Sequence, residues 1–343
     1  MFTTQAYEYV SGGQLASLKR VERPSREPGP GEVRVRVRAV SLNYRDLMAL
    51  AGAYPQASGK PLIPACDSAG EVMSVGVGVT TFKADDHVAN TYFGAWDSGE
   101  IAAWKVADSF GANIDGVLAE EIVVPQNRLA MLPAHVDFTE GATFTCAGVT
   151  AWNALFVGGR LKPGANVLLL GTGGVSIWGL QLAKAAGLKA YITSSSDEKL
   201  ARAKALGADG LINYGKTPEW QDEVMRLTGG RGVDMVLEVG GQGTLSRSVA
   251  SLSMGGTIAA IGGVTGFGAD PNFLPVLMIV TGKRLEGIFV GSRSMLEDLS
   301  RFVAVTGIRP TVDRVFEFDR AAEAYQHLQS GRHFGKVVIR VGS

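Results

Sequence analysis

The chain has 343 residues, 46% of them hydrophobic and 19% charged, which is ample material for buried cores, excludes a disordered chain and favours two domains over one. Lys plus Arg and Asp plus Glu balance at 33 each, so no general electrostatic pull toward nucleic acid or an anionic membrane is expected. Two cysteines, Cys66 and Cys146, cannot build a disulfide framework, and a reducing, cytoplasmic setting is expected.

The opening "MFTTQAYEYVSGGQL" lacks a basic region followed by an apolar core, so no secretory signal is read there. "GEVRVRVRAVSLN" (31–43) then places valine at every second position with arginine between, the period of a half-solvated strand. Arg34, Arg36 and Arg38 are read as its solvated face rather than as an anion site. "AGEVMSVGVGV" and "LAEEIVVPQNRLAMLP" continue a β-rich first domain, assigned to 1–126.

From 127 to 308 the pattern changes. "ANVLLLGTG", "KAYITSSS", "DGLIN", "VDMVLEVGG" and "GGTIAAIGG" are short apolar runs separated by helical segments, with "KRLEGIFVG" as a sixth. Alternating βα units of this length predict a parallel sheet with helices on both faces, a doubly wound α/β domain. The apolar stretch in its first half is broken by Gly171, Gly173, Gly174 and Lys184, so no membrane span is expected. The tail, 309–343, returns to strand-like runs around one short helix and is read as rejoining the first domain.

The segment "LLLGTGGVSIWGLQLAKAAG" joins a strand to a helix through Gly171, Thr172, Gly173, Gly174 and Val175, with Ser176 where G-x-G-x-x-G ends in glycine. Gly171 suits the tight turn and Gly173 a close backbone approach to a pyrophosphate; Ser176 adds a small side chain whose hydroxyl can bond within the helix or face the phosphates. At the end of the second strand, where an NAD site calls for a carboxylate, stand Ser194, Ser195 and Ser196, then Lys199. Hydroxyls and a lysine suit the extra phosphate of NADP. Ser195 and Glu198 also read as a helix capping box. Tyr214, just past the third strand, either lies against the adenine edge or is an ordinary tyrosine.

These residues, with "SLNYRDLMALAGAYP", "ACDSAGEV", "GVLAEEIVVP", "TFTCAGVTAWNAL" and "HFGKVVI", resemble the medium-chain dehydrogenase/reductase superfamily along nearly the whole chain. The resemblance implies a GroES-like catalytic domain built from both termini, a central Rossmann domain, an active site in the cleft and a homodimer formed through the sixth strand. Where zinc-dependent members carry cysteine, histidine and cysteine, this chain has Asn43, Cys66 and Cys146, with Asp67 at the neighbouring glutamate; the four cysteines of the structural zinc lobe have no counterpart. The chain therefore resembles the zinc-independent branch that contains quinone oxidoreductases, and no metal is expected; Cys66, Cys146 and Asp67 holding a soft ion is the lesser reading.

Without zinc, a conjugated acceptor (an enone or a quinone) is the expected substrate, because hydride addition spreads charge onto an oxygen that hydrogen-bond donors can stabilise. An alcohol dehydrogenase or ketone reductase, and a non-catalytic NADPH-binding protein, are the competing expectations. Asn43, Tyr44 and Arg45 are the candidate catalytic donors, with Asp46 holding Arg45 or a backbone turn and Tyr54 a candidate for lining the pocket. The resemblance adds Asn43, Thr150 and Lys336 as cofactor neighbours. Gly262, Val264 and Val290 follow two central strands, where backbone groups can hold a carboxamide.

Overall fold

The computed structural model describes residues 2–54 and 60–342; Pro55, which ends the "SLNYRDLMALAGAYP" segment, lies outside them. In chain order the first elements are β1 (Phe2–Glu8), β2 (Lys19–Ser25), β3 (Glu32–Leu42), α1 (Tyr44–Leu50), β4 (Asp67–Val75), β5 (His87–Asn90), β6 (Glu121–Pro125), β7 (Leu129–Met131), α2 (Phe138–Gly141) and α3 (Val149–Trp152). Then come β8 (Asn166–Leu169), α4 (Gly174–Ala185), β9 (Lys189–Ser194), α5 (Asp197–Ala205), β10 (Gly210–Asn213), α6 (Trp220–Leu227), β11 (Val233–Glu238), α7 (Leu245–Ser251), β12 (Leu252–Ala260), α8 (Pro275–Thr281) and β13 (Arg284–Gly287). The chain ends with α9 (Arg293–Thr306), β14 (Val312–Glu317), α10 (Ala321–Gln329) and β15 (Lys336–Arg340). It divides into two compact units, Met1–Val149 with Gly291–Ser343, and Thr150–Val290.

In the first unit β3 is the organiser. Val33, Val35 and Val37 are buried on one face, while Arg34 pairs with Glu27 and Glu121 and Arg38 with Glu71 on the other, the solvated ladder expected from the alternation. β3 pairs antiparallel with β4, β6 and β15, and the sheet runs β14-β15-β3-β4-β5-β7. The C-terminal strand β15 thus lies directly beside β3, from the first 42 residues. Gly116 and Gly111 allow a close backbone approach: a Cβ on either would meet the Ala65 carbonyl oxygen at 2.2 or 2.5 Å. Ala65 itself holds φ at +67°, an uncommon conformation for a residue with a side chain, and leads straight into Cys66.

The boundaries at 126 and 308 move. β7 pairs with β5, α2 packs on β3 and β4, and the turn Phe144–Gly148 packs on β4 and β5. α9 in turn packs on β7 and on that turn. Residues 127–149 and 291–308 therefore belong with the first unit, because their apolar faces are covered by its sheet.

The second unit is a six-stranded parallel sheet in the order β10-β9-β8-β11-β12-β13. Its core gathers Leu168, Ile212, Trp220, Val236 and Ile258 from strands and helices alike. Chain direction across the sheet reverses between β8 and β11, the switch point beside which doubly wound sheets bind their ligands. Among the described residues no helix is long and apolar enough to cross a membrane.

Candidate active site and nucleotide-binding edge

In the first unit the end of β3, the start of α1, the start of β4 and the start of β15 converge. Asn43 caps α1: its backbone N–H donates to Asp46 Oδ2 at 2.8 Å. Its side-chain amide donates to Asp67 Oδ2 at 2.8 Å, and its oxygen accepts from Lys336 Nζ at 2.5 Å. Lys336 also donates to the Leu42 carbonyl at 2.7 Å and lies 3.8 Å from Asp67 Oδ2. The Cys66 thiol donates to Asp67 Oδ1 at 3.1 Å, and Asn90 Nδ2 holds the Cys66 carbonyl at 2.8 Å. All of these side chains are buried.

Burial sets the electrostatics. It pushes the Asp67 carboxyl up to about 6, against the pull of the Lys336 ammonium and the Asn43 and Cys66 hydrogen bonds. Burial likewise raises the Cys66 thiol well above its ordinary value, with a hydrogen bond to Cys146 adding to the effect. A thiol that stays protonated, an amide whose two ends are engaged and an ammonium inside the cluster do not fit a zinc ion, which wants deprotonated sulfur and open lone pairs. Among the described residues no group of three His, Cys, Asp or Glu side chains is arranged to hold a metal.

The three candidate catalytic residues separate. Asn43 sits inside the cluster, with its amide committed to Asp67 and Lys336 rather than pointing at a ligand. Tyr44, at the start of α1, is 47% exposed. Arg45 differs from the expected oxyanion donor: its guanidinium is buried and donates to the Phe110 carbonyl at 2.8 Å, Asp46 Oδ1 at 3.1 Å and Ser109 Oγ at 3.2 Å. Burial works against its charge, and the adjoining Asp46 carboxyl is the acidic partner that favours the cation. Asp46 does hold both Arg45 and the turn. Tyr54 and Tyr92, whose hydroxyls lie 3.1 Å apart, flank Arg45. Tyr92 and Asn90 were not legible as site residues; the one signal in "HVANTYFGAW" is an Asn directly ending a strand.

In the second unit, Gly171 holds φ at +69°, and a Cβ added at Gly173 would meet open space, so the backbone there can be approached closely. Gly173 is the N-cap of α4, with no side chain capping the first turn of Gly174 and Val175. That turn presents backbone N–H groups at the positive end of a 12-residue helix, where an anionic phosphate is favoured. The Gly171 N–H is taken by Thr193 Oγ1 at 3.0 Å, and Thr172 is buried. Ser176 turns its hydroxyl inward to the Leu170 carbonyl at 2.6 Å, so it ties helix to strand rather than facing a phosphate.

At the end of β9, Ser194 is buried and accepts from the Ser196 N–H, while Ser195 is exposed. The N-cap of α5 is Ser196, which accepts from the Lys199 N–H, not Ser195 as the capping-box pattern suggested. One more extended residue follows β9, which shifts the cap by one position. Tyr214 joins this edge through its N–H to the Ser194 carbonyl and is 43% exposed. Gly262 and Val264 bond back to Glu238 and Val239 at the end of β11. Glu238, unremarked in the sequence, is a buried collector: its Oε1 accepts from the Gly240 and Gly241 N–H groups and from Thr244. Val290 holds φ at +54°, costly for a β-branched residue, and its carbonyl accepts from Asn153 at 2.9 Å. Thr150 is buried in α3.

The comparisons agree with this architecture. Residues 29–134 match the alcohol dehydrogenase GroES-like domain and residues 174–305 the zinc-binding dehydrogenase family. A zinc-type alcohol dehydrogenase-like protein of Schizosaccharomyces pombe is 41% identical over 98% of both chains. The chain belongs to the medium-chain dehydrogenase/reductase superfamily. Within that superfamily, a Sinorhizobium meliloti 1021 protein solved as an alcohol dehydrogenase superimposes with a TM-score of 0.91, at 38% identity over 99% of this chain and 100% of that one. A quinone oxidoreductase of Pseudomonas syringae pv. Tomato DC3000 superimposes with a TM-score of 0.81, at 27% identity over 98% and 99%. This medium-chain dehydrogenase/reductase is an oxidoreductase on a GroES-like and a Rossmann domain.

Proposed function

We propose that this oxidoreductase reduces a conjugated carbonyl, an enone or a quinone, with NADPH and without zinc. The observation that carries the reading is the closed network of Asn43, Cys66, Asp67 and Lys336, which occupies with hydrogen bonds the positions where relatives hold a Lewis acid. A plain ketone needs strong polarisation of its oxygen; a conjugated acceptor is already activated and needs only well-placed donors. When bound, a reduced nicotinamide supplies the hydride.

NADPH is favoured over NADH by the chemistry at the end of β9. Ser195 is exposed, Lys199 lies one helical turn on, and Tyr214 borders the same edge. The nearest acid, Asp197, is already held by Lys216 and Asn213, which lower its carboxyl below the ordinary range. A second copy of the chain is proposed as partner: β13 is an edge strand with no buried residue, and the neighbouring α8 exposes Val276, Leu277, Ile279 and Val280. Such an unpaired, apolar edge is what a self-pairing sheet presents.

The test uses chelator-treated protein, NADPH or NADH, and cyclohex-2-enone, with the product identified by mass and NMR. Cyclohexanone is the expected product. Cyclohex-2-enol, from direct attack on the carbonyl, would replace this reading with the alcohol dehydrogenase one, and nucleotide binding without turnover across enones, quinones and alcohols would replace it with a non-catalytic one.

A further inference from the structure

The parallel sheet of the second unit has two halves, β8-β9-β10 on one side of the switch point and β11-β12-β13 on the other. A dinucleotide lies across such a sheet with one mononucleotide on each half. Both halves begin with a strand that runs into a glycine turn, but the two turns differ. After β8 the backbone is open, and a Cβ added at Gly171 or Gly173 would meet nothing within 4 Å. After β11 the turn 239–243 is already filled. The Gly240 and Gly241 N–H groups both donate to Glu238 Oε1, at 2.7 and 3.0 Å. Successive backbone N–H groups aimed at one point make a nest for an anion, and here the chain supplies the anion itself. Thr244 Oγ1 donates to the same oxygen at 2.7 Å, and the Ser248 hydroxyl donates to the other. All four donors are neutral, and Glu238 is 2% exposed.

The filled turn in its turn holds the loop that follows β12. The Val239 carbonyl accepts from the Val264 N–H at 3.1 Å, and the Gly240 carbonyl from the Thr265 N–H at 2.7 Å. Thr265 Oγ1 donates to that same carbonyl at 2.8 Å and accepts from the Gly243 N–H at 2.9 Å. The loops are close enough to need glycine: a Cβ on Gly241, at φ +93°, would meet the Gly266 carbonyl oxygen at 2.3 Å. Residues 239–243 and 262–266 thus form one clasp at the carboxyl ends of β11 and β12, the edge where a parallel sheet receives its ligand. Glu238 is its buried anchor.

We propose that Glu238 is a positioning residue for the nicotinamide half of the coenzyme. Its carboxylate occupies the nest of the second turn, which leaves the open turn at Gly171 to the dinucleotide's phosphates. The same carboxylate fixes the clasp on which the nicotinamide nucleoside rests. Glu238 touches no ligand and acts through the two loops. The proposal rests on the reading of a nicotinamide coenzyme and adds to it the residue that organises the second half of the site.

The test titrates the full-length protein calorimetrically with NADPH and with adenosine 2′,5′-bisphosphate, which carries the adenosine half alone. The wild type is expected to bind both. Glu238→Ala is expected to weaken NADPH about tenfold and to leave the bisphosphate within about twofold. Glu238→Gln keeps an acceptor oxygen for the turn and is expected to recover most of the loss. Thr265→Val cuts the ties between the loops at an exposed residue, leaves the carboxylate in place, and is also expected to weaken NADPH alone. It carries the test by itself if Glu238→Ala does not fold, which circular dichroism reads. A purely structural residue would weaken both ligands together or neither, and either result in the folded variants overturns the proposal. A wild type that binds only NADH rejects the NADPH reading, and the same comparison then runs with NADH and adenosine monophosphate. A wild type that binds no nicotinamide nucleotide overturns both.

Discussion

Lys336 donates to the side-chain oxygen of Asn43 at 2.5 Å across 293 positions of sequence. The contact exists because β15 pairs antiparallel with β3, Val337 opposite Leu42, so the first residue of the last strand arrives beside the residue that caps α1. The Lys336 ammonium lies 3.8 Å from the buried Asp67 carboxyl, and it is itself 3% exposed. Replacing it with methionine removes that cation and orphans the Asn43 oxygen and the Leu42 carbonyl. Breaking one side of a buried charged network typically costs about 3–5 kcal/mol. Lys336→Met is expected to lose stability on that scale in urea unfolding monitored from the first unit; a loss no larger than that of a surface lysine would show the network to be unimportant for the fold.

Asp67 predicts a pH dependence with a definite sign. Its carboxyl titrates near 6 in the folded chain because burial outweighs Lys336, against an ordinary value of 3.8. Between those values the folded state holds a proton that the unfolded state has released, so stability falls as pH rises from about 4 to about 6 and levels off above. The amplitude is on the order of 3 kcal/mol, at about 1.4 kcal/mol per pH unit of displacement. Urea unfolding of wild type and Asp67→Asn across this window checks it. Their stability difference is expected to move in favour of the asparagine variant as pH rises, and a constant difference rejects the prediction.

Much of this was readable in advance, and the unread part has a common cause. The alternation in β3, the glycine turn at Gly171 and the succession of central apolar runs are local patterns, each set by a few neighbouring residues, and they led to the half-solvated strand and the parallel sheet seen. Arg45 and Asn43 were expected as site residues, but not the partners that consume their hydrogen bonds: Asp67, Ser109, Phe110 and Lys336 are supplied by segments 24 to 293 positions away. Tyr92 has no local signature at all, since its meaning comes from Tyr54 and Arg45 in space. The α5 cap was missed by one residue because two adjacent serines offer the same chemistry, and only the backbone path chooses between them.

The exposed edge strand makes a prediction about assembly. Leu285 on β13 and Ile279 on α8 are 51% and 78% exposed, and Ile279 faces no described core. If a second copy covers them, the protein runs in sedimentation at twice its 36.1 kDa chain mass. Ile279→Lys or Leu285→Lys places a charge in that apolar contact and is expected to give a monomer with an unchanged circular dichroism spectrum. A wild type that is monomeric at micromolar concentration removes the proposal of a dimer.

The proposed preference for NADPH is testable at two side chains, Ser195 and Lys199. Ser194 is buried and bonded within the turn, so the residue that meets solvent where β9 ends is Ser195. A nucleotide seated on the Gly171–Val175 turn extends its adenosine toward this edge of a doubly wound sheet. A hydroxyl there accommodates a 2′-phosphate, whereas a carboxylate repels it and instead accepts the two ribose hydroxyls of NADH. Ser195→Asp is therefore expected to raise the KM for NADPH by about tenfold or more, equivalent to about 1.4 kcal/mol of lost binding, while the KM for NADH stays level or falls. Lys199→Ala is expected to weaken NADPH alone, because its charge has no counterpart on NADH, and adding salt should reduce that effect. Steady-state kinetics with both nucleotides on the three proteins reads this directly. A wild type that prefers NADH, or a Ser195→Asp variant that treats both nucleotides as the wild type does, rejects NADPH as the coenzyme while leaving the hydride acceptor to be judged on its own product.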